Sequence, residues 1–154
     1  MKKYSLIFVL IWPSFLALSQ TADDYIDMVR DILKTEKKAA VAEGMNLTDA
    51  EITPFWDLYN EYNAKLSQTQ NKRIALIKEY AAHFDSMTDE KADEIMLNYM
   101  KYQQELLKLK KYYYGRFKKI LPKSKAARYF QLENKLQTLV DAQLALEIPL
   151  VEVK

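Results

Sequence analysis

The chain has 154 residues, with 23 Lys plus Arg against 21 Asp plus Glu, one His, two Gly and no Cys. The small positive excess lies in Lys2 and Lys3, so the rest of the chain is neutral, which argues against a nucleic-acid binder working through net charge. Without Cys there is no disulfide, thiolate metal site, Cys nucleophile or lipoprotein anchor; scarce Gly excludes phosphate-cradling loops, and a Ser-His-Asp triad would hang on His83 alone.

Residues 1–19 read as a secretory signal peptide. Lys2 and Lys3 precede a 13-residue apolar run, Leu6 to Leu18, and Ala17 and Ser19 place small residues three and one before a cut ahead of Gln20. A helix of that length spans about 20 Å, short of the roughly 30 Å hydrocarbon core, and Pro13 disfavours the alternative of an uncleaved anchor. The expected mature chain, 20–154, is a single domain in the periplasm, with secretion to the outside as the alternative. No stable membrane insertion is expected after cleavage.

From Thr21 onward the hydrophobic period is helical, which predicts an all-α fold of four helices. The first runs from about Ala22 to Glu43, with Met28, Val29, Ile32 and Leu33 as its stripe and Asp23, Asp24 and Asp27 near its positive end. Gly44 suits a left-handed cap. Thr48 and Glu51 then form a capping box, with Leu47 and Ile52 in the staple positions. Pro54 is expected to bend or restart the second helix, which continues through Phe55, Trp56, Tyr59, Tyr62, Leu66, Ile77, Tyr80 and Phe84. Thr69, Gln70 and Arg73 interrupt its stripe.

Thr88 is the predicted N-cap of the third helix, followed by Asp89 and Glu90. Ala92, Ile95, Tyr99, Tyr102, Leu106, Leu109, Tyr113 and Ile120 keep three- and four-residue steps, and Met96, Met100, Leu107, Tyr114, Phe117 and Leu121 form a second stripe. Two stripes need more than one covering helix. Leu121-Pro122 ends this segment. Ser124 is the expected cap of a fourth helix that carries Tyr129, Leu132, Leu136, Leu139 and Leu146 and stops at Pro149. Helices two and three should form an antiparallel hairpin about 50 Å long. Folding at residues 86–87 pairs Trp56 with Phe117, Leu66 with Leu107, Ile77 with Met96 and Lys78 with Glu94, and brings Asp57 and Glu61 near Arg116 and Tyr112.

Chemistry-bearing side chains are few. His83 with Asp85 and Asp89 lacks a metal pattern and reads as a polar helix end. Met96 and Met100, one turn apart, are two soft ligands without a third, so packing is the better account. Asp23/Asp27, Asp57/Glu61 and Asp89/Asp93 read as solvated faces, because acid–base catalysis needs two carboxyls held in a cleft with divergent pKa values. The chain is therefore expected to be no enzyme and to carry no metal or cofactor.

Lys108 to Arg128 differs. It holds nine basic residues and no acid, interleaved with Tyr112, Tyr113, Tyr114 and Phe117, and Gly115 is expected to loosen the helix there. Single-stranded nucleic acid would suit such a surface, but export removes it. An intramolecular account sets Arg116 against Asp57, yet Asp49, Glu51, Asp57 and Glu61 are too few to balance the whole stretch. The second stripe with its cations, Met100, Leu107, Lys110, Lys111, Tyr114, Phe117, Lys118 and Leu121, is accordingly expected to face a client or a dimer partner. The alternative is cover by the first or fourth helix of the same chain.

Leu47-Thr48-Asp49-Ala50-Glu51 and Met87-Thr88-Asp89-Glu90-Lys91 resemble the Leu-Thr-x-x-Gln motifs of the Spy/CpxP group of periplasmic helical proteins, which includes related metal-resistance sensors. Both depart from the pattern at the last position, and the second has Met87 for Leu. The tract from Leu121-Pro122 through Glu133 resembles the start of the last helix in exported relatives. The resemblance implies a curved helical homodimer that shields unfolded or partly folded envelope proteins without ATP. A structural or adaptor role with one specific envelope protein is the alternative, and a metal sensor a more distant one, since there is a single His.

Overall fold

The computed structural model describes residues 35–152; the signal-peptide expectation and most of the predicted first helix lie outside them. The chain divides into two units, residues 1–40 and 41–154. In the first, the described residues 35–40 are helical and mostly exposed. The fold is all-α: α1 (35–45), α2 (Asp49–His83), α3 (Asp89–Ile120) and α4 (Lys123–Glu147), with no strand among the described residues.

The caps of α2 and α3 do what their sequence predicts. Thr48 and Glu51 close a capping box, the Thr48 amide donating to Glu51 Oε2 at 2.9 Å, and Thr88 Oγ1 accepts from the Lys91 amide at 3.2 Å. Leu47 packs on the core, but Ile52 is exposed, so the staple is one-sided. Pro54 does not interrupt α2. It lies one turn in on the exposed side, where the Ala50 carbonyl it leaves unbonded also meets water. A short 3₁₀ turn, Phe84–Ser86, reverses the chain into α3. At the α3–α4 corner Pro122, not Ser124, is the N-cap, since the Leu121-Pro122 step already has the extended geometry that a helix entry requires.

Two glycine expectations are corrected. Gly44 stays helical, and Asn46, with φ of 47°, takes the left-handed position. A Cβ on Gly44 would lie 2.8 Å from Leu132 Cδ1, so this glycine allows α1 to approach α4 closely. Arg128 Nε donates to the Gly44 carbonyl beside it, satisfying a helix-end acceptor. Gly115 leaves α3 unbroken, and a Cβ there would meet nothing within 4 Å. Gly115→Ala is therefore expected to raise stability by about 0.5–1 kcal/mol, because alanine loses less backbone freedom on folding. Urea denaturation checks this, and a lowered midpoint would contradict it.

The α2–α3 hairpin forms within a few residues of the expected register. Phe55 rather than Trp56 faces the Phe117 ring, at 5.6 Å, while Trp56 sits edge-on to Phe55 and Tyr59. Leu66 and Leu106 are buried, whereas Leu107 and Met96, the expected partners of Leu66 and Ile77, are exposed. Lys91 pairs with Glu94 and also binds Glu79 across the turn.

The core lies at the end of the bundle away from that turn. Val41 and Met45 of α1, Phe55, Tyr59 and Tyr62 of α2, Tyr113 and Phe117 of α3 and Tyr129 of α4 are buried there. Their rings interlock: Phe117–Tyr129 at 4.6 Å, Tyr62–Tyr113 at 5.1 Å and Phe55–Tyr129 edge-on at 5.3 Å. Toward the turn, polar links replace burial. Gln70 bonds Gln137 at 2.8 Å, Arg73 pairs with Asp141, Lys72 with Glu105, and the Tyr80 hydroxyl donates to the Pro149 carbonyl at 2.9 Å. Two of the polar residues that interrupt the α2 stripe, Gln70 and Arg73, are thus points where α4 attaches, while Thr69 Oγ1 donates to the Lys65 carbonyl within α2.

Candidate functional site

The second stripe of α3 divides into two environments. Its C-terminal part is core. Phe117 is fully buried, Leu121 nearly so, and Tyr114 packs edge-on to Phe130 of α4 at 5.3 Å. Phe117 and Leu121 are therefore unavailable to an outside partner, contrary to the expectation from sequence. The Leu121-Pro122 corner turns α4 back so that Tyr129 and Phe130 come down on the stripe. The covering helix is the fourth of the same chain.

The N-terminal part stays open. Met96, Leu97, Met100 and Leu107 are each more than half exposed. Met100 and Leu107 belong to the expected set; Leu97 does not, because it sits a helical step to the side of the stripe. Of the cations, Lys110 Nζ donates to Asn134 Oδ1 at 3.0 Å, and Lys118 Nζ lies 4.8 Å over the Tyr114 ring. Lys111 is exposed beside Leu107. Arg116 pairs with Glu61, not Asp57, and that carboxylate also accepts from the Tyr113 hydroxyl at 2.9 Å. Glu61 reaches it because it lies one turn further along α2. On α4, Leu139 and Leu146 are also exposed, although their spacing reads as part of a buried stripe.

Three carboxylates sit against cations of other helices. The Arg116 hydrogen bond, then the Tyr113 hydroxyl, holds Glu61 below the usual carboxylate range. Glu51 is lowered by Lys125 of α4 and then by the Thr48 amide, and Glu105 by Lys72 of α2. Inside the aromatic core Glu133 is buried. Burial, and then the Glu133 charge, push the Tyr59 hydroxyl up to about 12 and raise Tyr62 and Tyr129 further. These phenols remain protonated at physiological pH and serve as packing surface.

His83 lies exposed at the end of α2, with Nδ1 2.8 Å from the Glu79 carbonyl. Asp57, Asp89 and Asp93 are exposed, and Asp23 and Asp27 lie outside the described residues. Among the described residues no three His, Cys, Asp or Glu side chains gather as a metal site, and no helix is long and apolar enough to cross a membrane. What the arrangement offers is a surface, an apolar strip of flexible side chains beside exposed lysines on a rigid helix. No family model, curated protein or solved structure matches the chain.

Proposed function

We propose that this is an exported, non-enzymatic binding protein that shields unfolded or partly folded envelope proteins without ATP, in the manner of the Spy/CpxP group it resembles. The observation that carries the reading is the exposed strip Met96, Leu97, Met100 and Leu107. Such an apolar surface on a folded helix marks a contact site. Two of the four are Met, whose unbranched thioether adapts to varied partner shapes. Lys108 and Lys111 border the strip. Apolar burial supplies affinity at about 25 cal/mol per Å², while the cations speed encounter with acidic clients and lose effect with salt.

The test is aggregation of several unrelated denatured proteins with the purified chain at near-equimolar ratio. Protection of most of them, weakened by salt, is the expected result. Protection of none, together with a pull-down that returns one stoichiometric partner, would replace this reading with the adaptor role.

A further inference from the structure

One side of α3 buries Tyr102, Leu106, Tyr113 and Phe117. On the opposite side, at 3.6 residues per turn, Lys101, Lys108, Lys111, Tyr112, Lys118 and Lys119 fall within roughly one third of the circumference, and all six are exposed. No Asp or Glu falls within that third between residues 97 and 120. Glu105 lies just past its edge and is held by Lys72 of α2. Among the described residues Lys101, Lys108, Lys111 and Lys119 make no ion pair within the chain. From Lys101 to Lys119 the helix rises about 27 Å, so the lysines form a straight ridge of one sign.

We propose that this ridge docks the protein on a bilayer of anionic phospholipid, with α3 lying along the headgroup plane. A partner that is negative along the whole ridge meets every lysine favourably. A polypeptide of mixed sign would set some of its own cations against them, which like-charge repulsion disfavours. A straight helix with no cleft touches a plane at each turn, and each lysine near an anionic leaflet adds to the attraction. Lysine stems can lie along the lipid surface while their ammonium groups meet the phosphates. Charge alone holds a protein weakly, and a second, apolar signal is on the same third of the helix. Leu97, Met100 and Tyr112 are 57%, 53% and 62% exposed there, and a tyrosine ring suits the boundary between headgroup and acyl chain. Docking leaves the buried side of α3 untouched and inserts no helix. Lys101, Tyr112 and Lys119 lie outside the strip assigned to clients, so the two surfaces stand or fall separately.

Co-sedimentation of the mature chain, residues 20–154, with vesicles is the test. Vesicles of phosphatidylcholine mixed with phosphatidylglycerol should bind it about tenfold or more tightly than phosphatidylcholine alone, and added salt should weaken the binding. Lys101→Glu/Lys119→Glu should lower affinity for the mixed vesicles about tenfold or more. Tyr112→Ser should lower it by a smaller factor that salt does not change. Circular dichroism keeps the comparison sound, because all three positions are exposed and helicity should hold; Lys101→Gln/Lys119→Gln, which adds no charge, should show the same loss in milder form. No binding to the mixed vesicles, equal binding to both kinds, or full binding by Lys101→Glu/Lys119→Glu would each overturn the proposal. Binding of polyglutamate without binding of the mixed vesicles would overturn it in favour of an acidic polypeptide. A chain that ignores vesicles yet protects denatured clients would overturn it while sparing the client-binding reading.

Discussion

Replacing Phe117 by alanine is expected to cost about 3–5 kcal/mol of folding stability, the range for removing a buried aromatic ring. Phe117 is fully buried and meets the rings of Phe55, Tyr129 and Phe130 at 5.6, 4.6 and 5.9 Å. One side chain thus joins three helices, and truncating it leaves a void that none of them can fill alone. The loss is a large share of the roughly 5–15 kcal/mol a small domain has in total, so a strong fall in the denaturation midpoint should follow. Met100→Ala, two-thirds of the way down the same stripe toward the helix start, should change stability by no more than about 0.5 kcal/mol, as surface substitutions do. If Phe117→Ala were as mild as Met100→Ala, α4 would not cover the stripe as described.

Acidification should loosen the helix pairing. Glu51, Glu61 and Glu105 each have a folded-state pKa below the ordinary value of about 4.5, the first cause in each case being a cationic partner on another helix: Lys125, Arg116 and Lys72. The unfolded chain therefore binds these protons more readily than the folded one. The stabilisation is fully present above about pH 4.5 and is lost as the pH falls through the lower folded values. Because the three carboxylates join α2 to α4, α2 to α3 and α3 to α2, thermal midpoints should decline together with pH in that acidic window and stay flat just above it. Glu61→Gln should flatten part of the decline. A midpoint independent of pH down to the acid limit would show that these pairs contribute nothing, which is the usual outcome for fully screened surface pairs.

Local signals in this chain were readable because each is decided by a few neighbouring residues. Thr48 with Glu51 and Thr88 with the Lys91 amide set the starts of α2 and α3, and the short Phe84–Ser86 turn between them fixes the hairpin to within a few residues. The split of the second α3 stripe was not readable, since it depends on where α4 lands. Met100 and Phe117 have the same helical logic in sequence, yet one is exposed and the other buried. The deciding feature is the adjacent pair Tyr129-Phe130, whose rings both reach Phe117 after the Pro122 corner. Gly44 misleads for a similar reason: its missing side chain serves a distant contact with Leu132 and not its own backbone conformation. Leu139 and Leu146 repeat at helical spacing, but at the turn end of the bundle α4 is held by Arg73 and Gln70 through its polar side, which leaves those leucines outward.

The most direct measurement is the protection of denatured client proteins by Met100→Ser/Leu107→Ser. Both positions are exposed, so the variant should keep its helicity and its denaturation midpoint, and it should lose most of its ability to suppress aggregation. A folded variant that protects clients as well as the unaltered chain would contradict the assignment of this strip as the working surface.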